Sequence, residues 1–386
     1  MPKPIYFLYL LFVSQFLHAQ IEQNTYEMNT LDNLLTDDVK KVISRNIHDK
    51  QTVFLGEAVH YSGSDFLAKA EFVKYLVLEH GYKDIAFESD FYALLFDHSK
   101  RNLFKMWSMS DQCKALMTFL KDNNVTIWGF DNQMHSYYSH KNFANKLAEF
   151  LTGKSIEVDK RFISLTDILI KNGYNSRKFL STEEITYLKS YALQLSDNQL
   201  VKSDPLWKQI IESFYSTIEV YTIKDNNNDK KIITIRDKQM AKNLDFLVKQ
   251  DRNRKMIVWL ANAHMSKCDY EYMDGMTMGA QFRALNPNTS YHIAFGSIKM
   301  PPERTEKSII RAAQNKNNIL YYLPSLNNNY FLDAGKITND FPLFKTKLFT
   351  HGWVFNIQRK RAELLNHYDA LVFITGGIEV SYEGKP

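Results

Sequence analysis

Four short apolar runs stand out along the chain, and each is followed within a few residues by an acid or a histidine. Val53-Phe54-Leu55 ends at Gly56 and is followed by Glu57 and His60. Ile85-Ala86-Phe87 runs into Glu88, and Thr126-Ile127-Trp128-Gly129-Phe130 into Asp131. Met256-Ile257-Val258-Trp259-Leu260 leads to Asn262 and His264. Runs this short, bounded by turn residues, predict buried strands. Between them the pattern takes on a helical period. Over residues 64–80, Phe66, Ala70, Val73, Leu76 and Val77 share one face, and Gly81 is placed to end the helix. Further helices are predicted over 37–47 and 110–123. The β-α-β-α-β order that results predicts a parallel sheet covered by helices.

After Asp131 that order breaks. Residues from about 140 to 230 carry helical patterns and no convincing strand. Ser181 and Glu184 have capping-box spacing before Ile185-Thr186-Tyr187-Leu188. A second amphipathic pattern covers 207–223, and Asp225-Asn226-Asn227-Asn228-Asp229 reads as a polar loop. The region predicts a helical insertion, or lid, over the sheet. A helix over 236–249 then returns the chain to the strand at 256–260, and strand candidates follow at 290–295 and 370–375. Residues 21–50 read as a lead-in segment. The Asn-rich stretches at 314–318 and 326–329 read as loops.

Composition adds limits. With 386 residues, 45% hydrophobic and 14% aromatic, the chain can bury a substantial core. It suits one large domain with insertions, or two domains. The formal charge of +5 is small for this length, and lysines are scattered beside acidic residues. There is no basic stripe, so a nucleic-acid partner is not expected. Lys3, an apolar stretch over 5–17 and small Ala19 predict a cleavable export signal over residues 1–20. The chain from 21 to 386 is then the exported protein, periplasmic or extracellular. No later run approaches the ~20 apolar residues of a membrane span. Export permits a Cys113–Cys268 disulfide, but two partly buried free thiols are the simpler reading.

Polar groups at the C-terminal ends of buried strands are where open α/β sheets build sites, so four such ends predict one shared pocket. His60 is the first candidate for proton transfer, because imidazole titrates near neutral pH. Alone it could equally be a structural histidine. Glu57 either orients that ring or caps the next helix. Glu88 at a buried strand end needs a partner, with Arg236, Lys69 and His264 as candidates. Asp131 reads as a turn or cap residue. Arg236, Met240 and Asn243 share a helical face. An arginine at a helix start opposes the helix dipole. It therefore suggests a guanidinium held for a carboxylate or developing oxyanion, the alternative being a surface salt bridge to Asp237 or Asp251. His264 is the second candidate histidine. The absence of HExxH, GxSxG, P-loop and GxGxxG patterns removes support for serine-nucleophile hydrolysis and nucleotide binding.

Taken in order, Gly56-Glu57-Ala58-Val59-His60, Ala86-Phe87-Glu88, Gly129-Phe130-Asp131, the Arg236-to-Asn243 helix and Asn262-Ala263-His264 form a recognisable series. The chain resembles the erythromycin esterase family over about residues 50 to 300. The resemblance implies an α/β fold with a three-layer α/β/α core, a mainly parallel sheet and an inserted helical lobe. It implies metal-independent hydrolysis of a small-molecule ester such as a macrolide, with no cofactor, and hence a link to antibiotic resistance. His60 would be the general base that activates water, with Glu57, Glu88, Arg236 and His264 around it. Lys69, Tyr61, Asp131 and Asn262 would lie on the substrate side. Two positions depart from the family pattern: Tyr61 where glycine is common, and Ala261 where a histidine is common. Two other readings remain open. One is a metal- or haem-binding protein using Glu57, His60, Glu88 and His264 as ligands. The other is a ligand-binding protein that has lost its chemistry.

Overall fold

A computed structural model describes residues 19–224, 229–251, 253–269, 275–300, 304–350, 352–356 and 361–383. Residues 1–18 of the expected export signal and 225–228 of the expected polar loop lie outside the described residues. The strands are β1 (Thr25–Met28), β2 (Thr52–Glu57), β3 (Asp84–Asp90), β4 (Thr126–Asp131), β5 (Met256–Ala261), β6 (Ser290–Ser297), β7 (Asn329–Leu332), β8 (Phe349–Thr350), β9 (Arg361–Ala362) and β10 (Ala370–Ile374). Eight of them form one sheet in the order β1-β7-β10-β6-β2-β5-β3-β4, while β8 and β9 pair separately. From β10 to β4 every pairing is parallel. At the other edge β7 runs against β10, and β1 pairs antiparallel with β7. The fold is therefore α/β with a mainly parallel sheet.

Alternation along the strands divides the core into two layers. Val53, Leu55, Ile85, Phe87, Ile257, Trp259, Ile293 and Phe295 face one side. There they meet α1 (Asp37–Ile47), α2 (Gly63–His80) and α3 (Asp111–Asp122). Phe54, Ala86, Met256, Val258, Leu260 and Ala294 face the other side. That side holds the helices inserted between β4 and β5: α4 (Tyr137–Gly153), α5 (Lys160–Asn172), α6 (Thr182–Asp197), α7 (Pro205–Tyr221) and α8 (Asp229–Lys249). Helix α9 (Met278–Leu285) follows β5 on the same side. The inserted helices share one continuous apolar core with the sheet. They form a structural layer as well as a cover.

Local signals act where they are expected. Gly81 ends α2 at a φ of +69°, and the Ser181–Glu184 capping box opens α6. Three elements differ. Strands β1 and β7 fall in stretches that read as lead-in and loop. Four residues each is too short for a pattern, and pairing of β7 with β10 and of β1 with β7 makes them strands. Helix α8 begins at Asp229 and not at 236. Its β-branched run Ile232-Ile233-Thr234-Ile235 masks the helical period. Packing of Ile232 and Ile235 against the core overrides that local preference.

Candidate active site

Strands β2, β5, β3 and β4 are consecutive neighbours and all parallel. Their C-terminal ends therefore lie on one edge of the sheet, and the groups predicted from the sequence meet there. Glu57 is the last residue of β2, paired in register with Ala261 of β5. The chain leaves β5 through a single helical turn, Asn262–Met265, that carries His264. A Cβ at Gly56 would run into Asn262 Oδ1 and Met265, so the close packing of these two strand exits requires glycine. Glu88 lies inside β3 and not past its end. The β3–β4 register shifts between Phe87 and Asp90, at the site itself.

One group of residues surrounds the loop after β2. Glu57 is fully buried, and its Oε2 pairs with the Lys69 ammonium from α2. That ammonium also lies 3.8 Å from the centre of the Trp259 ring and donates to Leu260 O at 3.4 Å. The other oxygen, Oε1, is 3.0 Å from His60 Nδ1. The His60 side chain is 37% exposed, and the Trp107 ring meets it edge-on at 6.0 Å. Its Nε2 makes no hydrogen bond within the described residues. Burial pulls the His60 pKa down. The hydrogen bond and charge of Glu57, with the charge of Glu88, outweigh that and raise it above the ordinary histidine value.

The second group is buried more deeply. Asn243 Nδ2 donates to Phe130 O at 3.0 Å and ties α8 to the end of β4. Two turns earlier on the same helix, Arg236 reaches Asp131 through Nε at 3.0 Å and Nη2 at 2.7 Å. Nη2 also donates to Glu88 Oε1 at 2.5 Å, and Glu88 Oε2 accepts from Ala261 N at 3.0 Å. Burial would raise the Glu88 pKa, but the charges of His264, Arg236 and His60 bring it to about 2. His264 Nδ1 lies 2.6 Å from Asp237 Oδ1, and Asp237 Oδ2 accepts from Met278 N at 2.8 Å, at the start of α9. Burial lowers the His264 pKa, but Asp237 and Glu88 raise it to about 9. At neutral pH this ring is an imidazolium. Its Nε2–H is a donor 3.5 Å from Glu88 Oε1. The 3.4 Å approach of Arg236 Nη1 to Nε2 is then two donors beside one carboxylate, not a hydrogen bond between them.

Several expected partners are exchanged. Arg236 pairs with neither Asp237 nor Asp251. It sits two turns inside α8, so the helix-start argument does not apply. Adjacent helical residues point about 100° apart, so Asp237 faces His264 and leaves Arg236 to Glu88 and Asp131. Lys69 serves Glu57, not Glu88. Glu57 does not cap α2, because Ser62 does. Asp131 keeps its turn contact, accepting from Gln133 N at 3.1 Å, beneath the guanidinium.

Lys69, Asp131 and Asn262, expected on the substrate side, are fully buried and committed to internal partners. Asn262 Nδ2 donates to Phe295 O at 2.8 Å. A buried charge needs a partner, and here the fold supplies it. Tyr61 is 71% exposed beside His60. Cys113 and Cys268 are both free.

Trp107 and Asp65 belong to this neighbourhood and carry no sequence signal, and Asp237, read from the sequence only as a salt-bridge partner of Arg236, belongs to it too. Asp65, fully buried in the first turn of α2, accepts from Ala58 N at 3.1 Å and from Ser297 Oγ at 2.6 Å. Burial raises its pKa to about 6 against those hydrogen bonds. Only Asp237 had a visible signal, a second charge beside Arg236. A polar cleft of about 550 Å³ lined by Arg45, Tyr291, Asp333 and Asp369 opens at the opposite edge, where the parallel strands begin. Its acids pair with Arg45 and Lys267, away from both histidines.

Three solved structures share this fold. A protein from Bacillus cereus superposes with a TM-score of 0.70 at 17% identity, covering 94% of this chain and 97% of its own. A succinoglycan biosynthesis protein gives a TM-score of 0.70 at 17% identity, over 94% and 97% of the two chains. A mutant of the erythromycin esterase EreC in its open conformation gives 0.68 at 16% identity, over 93% and 98%. No curated protein matches the chain significantly. The family model described as erythromycin esterase matches residues 77–375, a range that includes Glu88, Asp131, Arg236 and His264 and begins after the β2 loop. The chain belongs to the erythromycin esterase family.

Proposed function

We propose that the protein hydrolyses an ester by water attack, with His60 as general base and the Arg236–His264 pair opposite the developing oxyanion. Family membership suggests a hydrolase acting on a small molecule. The observation that carries the finer reading is the state of His60. Its Nδ1 is engaged by a fixed carboxylate while Nε2 has no partner among the described residues. In the neutral ring Nδ1–H donates to Glu57, which leaves the Nε2 lone pair to accept a proton from water. Lys69 pins Glu57 from behind.

Attack places negative charge on the former carbonyl oxygen. The free edge of the guanidinium, Nη1, and the His264 imidazolium are cationic donors held in place before reaction. Collapse of the tetrahedral adduct breaks the bond to the alkoxide, which takes the proton from His60. The balance is one water consumed, with one acid and one alcohol formed. The substrate we favour is a lactone of the macrolide kind or another small ester.

Metal or haem binding is less well supported by these residues. Glu57 is already paired with Lys69, Glu88 with Arg236, and His264 is protonated at neutral pH. A metal ligand has to be deprotonated and free of such partners.

Mass spectrometry of macrolides and simple esters after incubation tests the reading, through addition of one water. A hydrolysed ester whose turnover is unchanged in His60→Ala overturns the base assignment. Export remains part of the proposal and is tested by N-terminal sequencing of protein from the native host.

A further inference from the structure

The loop that carries His60 is covered by a segment outside the family match. After β10 the chain continues across the C-terminal edge of the sheet and pairs with that loop. Val380 N donates to Tyr61 O at 2.9 Å, and Ser62 and Glu379 form an antiparallel bridge. Ser64 N donates to Ile378 O at 3.1 Å, and Ile378 N donates back to Ser64 Oγ at 2.8 Å. The approach is close. A Cβ on Gly63 would lie 2.8 Å from Glu379 O, and one on Gly376 would lie 2.9 Å from Ser64 Oγ.

The same segment is fastened to the start of α3. Asp111 N donates to Ser381 O at 2.9 Å, Ser381 N donates to Gln112 Oε1 at 3.0 Å, and Lys114 pairs with Glu383 at 2.9 Å. From inside, Asp65 holds Ala58 N, and its partner Ser297 Oγ lies 3.1 Å from Ser62 Oγ. His60 therefore sits between a buried anchor at Ala58 and an outer clamp at Tyr61, Ser62 and Ser64. Its one side-chain hydrogen bond among the described residues, to Glu57, is a weak tether against the backbone freedom of an exposed loop. The β2 loop and the clamp both lie outside residues 77–375, the range of the family match.

We propose that residues 378–380 are positioning residues for His60: they hold the β2 loop so that the ring meets Glu57 through Nδ1 and stays part-exposed. The assignment rests on reading His60 as the base, so its test reads the imidazole directly and does not depend on turnover. NMR titration of histidine-labelled protein follows each ring, with His60→Ala and His264→Ala assigning the two signals. Glu57, Glu88 and His264 are the charged groups acting on His60.

Val380→Pro removes the N–H given to Tyr61 and keeps the chain at full length. A chain ended after Thr375 removes the whole clamp. Lys114→Ala loosens only its outer end. In Val380→Pro and the shortened chain, the His60 pKa should fall toward the ordinary value of about 6.5, while that of His264 stays put. Lys114→Ala should move neither. An unchanged His60 titration in folded Val380→Pro overturns the proposal. So does a joint shift of His60 and His264, which would mean general loosening. If the shortened chain does not fold, Val380→Pro decides alone.

Discussion

The two halves of the site solve opposite problems. His60 stands on a loop, half-exposed, with one hydrogen bond and an open nitrogen. Arg236, Glu88, Asp131, His264 and Asp237 form a buried network in which nearly every polar atom has a partner. On the proposed reading His60 is a base, which has to keep a lone pair available and so cannot be saturated. A charge-stabilising site gains from being rigid and dry, because fixed dipoles and charges need not reorganise when the oxyanion forms. The difference also divides the risks. Damage to the buried half should cost the fold, and damage to the loop should cost only chemistry.

Arg236→Ala should be the most severe single change. It leaves buried Asp131 without its cation and buried Glu88 with His264 alone, a loss on the order of 3–5 kcal/mol. Denaturant unfolding measures it, and a loss below about 1 kcal/mol would contradict the burial argument. His60→Ala should do the reverse. Turnover of any hydrolysed ester should drop ~10²–10⁴-fold while the melting temperature barely moves. In the wild type, turnover should fall with acid through the pKa of His60. Glu57 and Glu88 raise that pKa against burial, so the acid limb should lie above that of a free histidine.

Asp237→Asn sharpens the comparison from the buried side. The folded pKa of His264, about 9, stands above the unfolded value of about 6.5. Its contribution to stability is therefore complete below about pH 6.5 and is lost as pH rises through about 9. Asparagine in place of Asp237 should flatten that decline and bring the His264 titration down, both readable by pH-dependent unfolding and NMR. Tyr61→Gly, in the exposed loop, should change stability by no more than about 0.5 kcal/mol. A larger loss would show that the loop is part of the core after all.

Much of the site is legible in the sequence because its signals are local. A continuous apolar run followed by an acid or a histidine marks a buried parallel strand and the end that reaches the candidate site, as at Glu57, Glu88, Asp131 and His264. Gly81 and the Ser181–Glu184 box mark helix ends because the cap chemistry is carried by the residues themselves. These patterns, with composition, determined the α/β class, the inserted helical region and the residues that gather at one edge.

The partnerships were decided elsewhere. Arg236 and Glu88 are 148 residues apart in sequence and share a hydrogen bond because β5 lies between β2 and β3. That strand order is a property of the whole sheet. It also sends Lys69 to Glu57, turns Asp237 toward His264, makes β1 and β7 into strands, and lays residues 378–380 over the loop of His60. Each of these contacts depends on burial and on long-range pairing, where one charge must find another or remain unpaired in the interior. No local periodicity records which charge that will be.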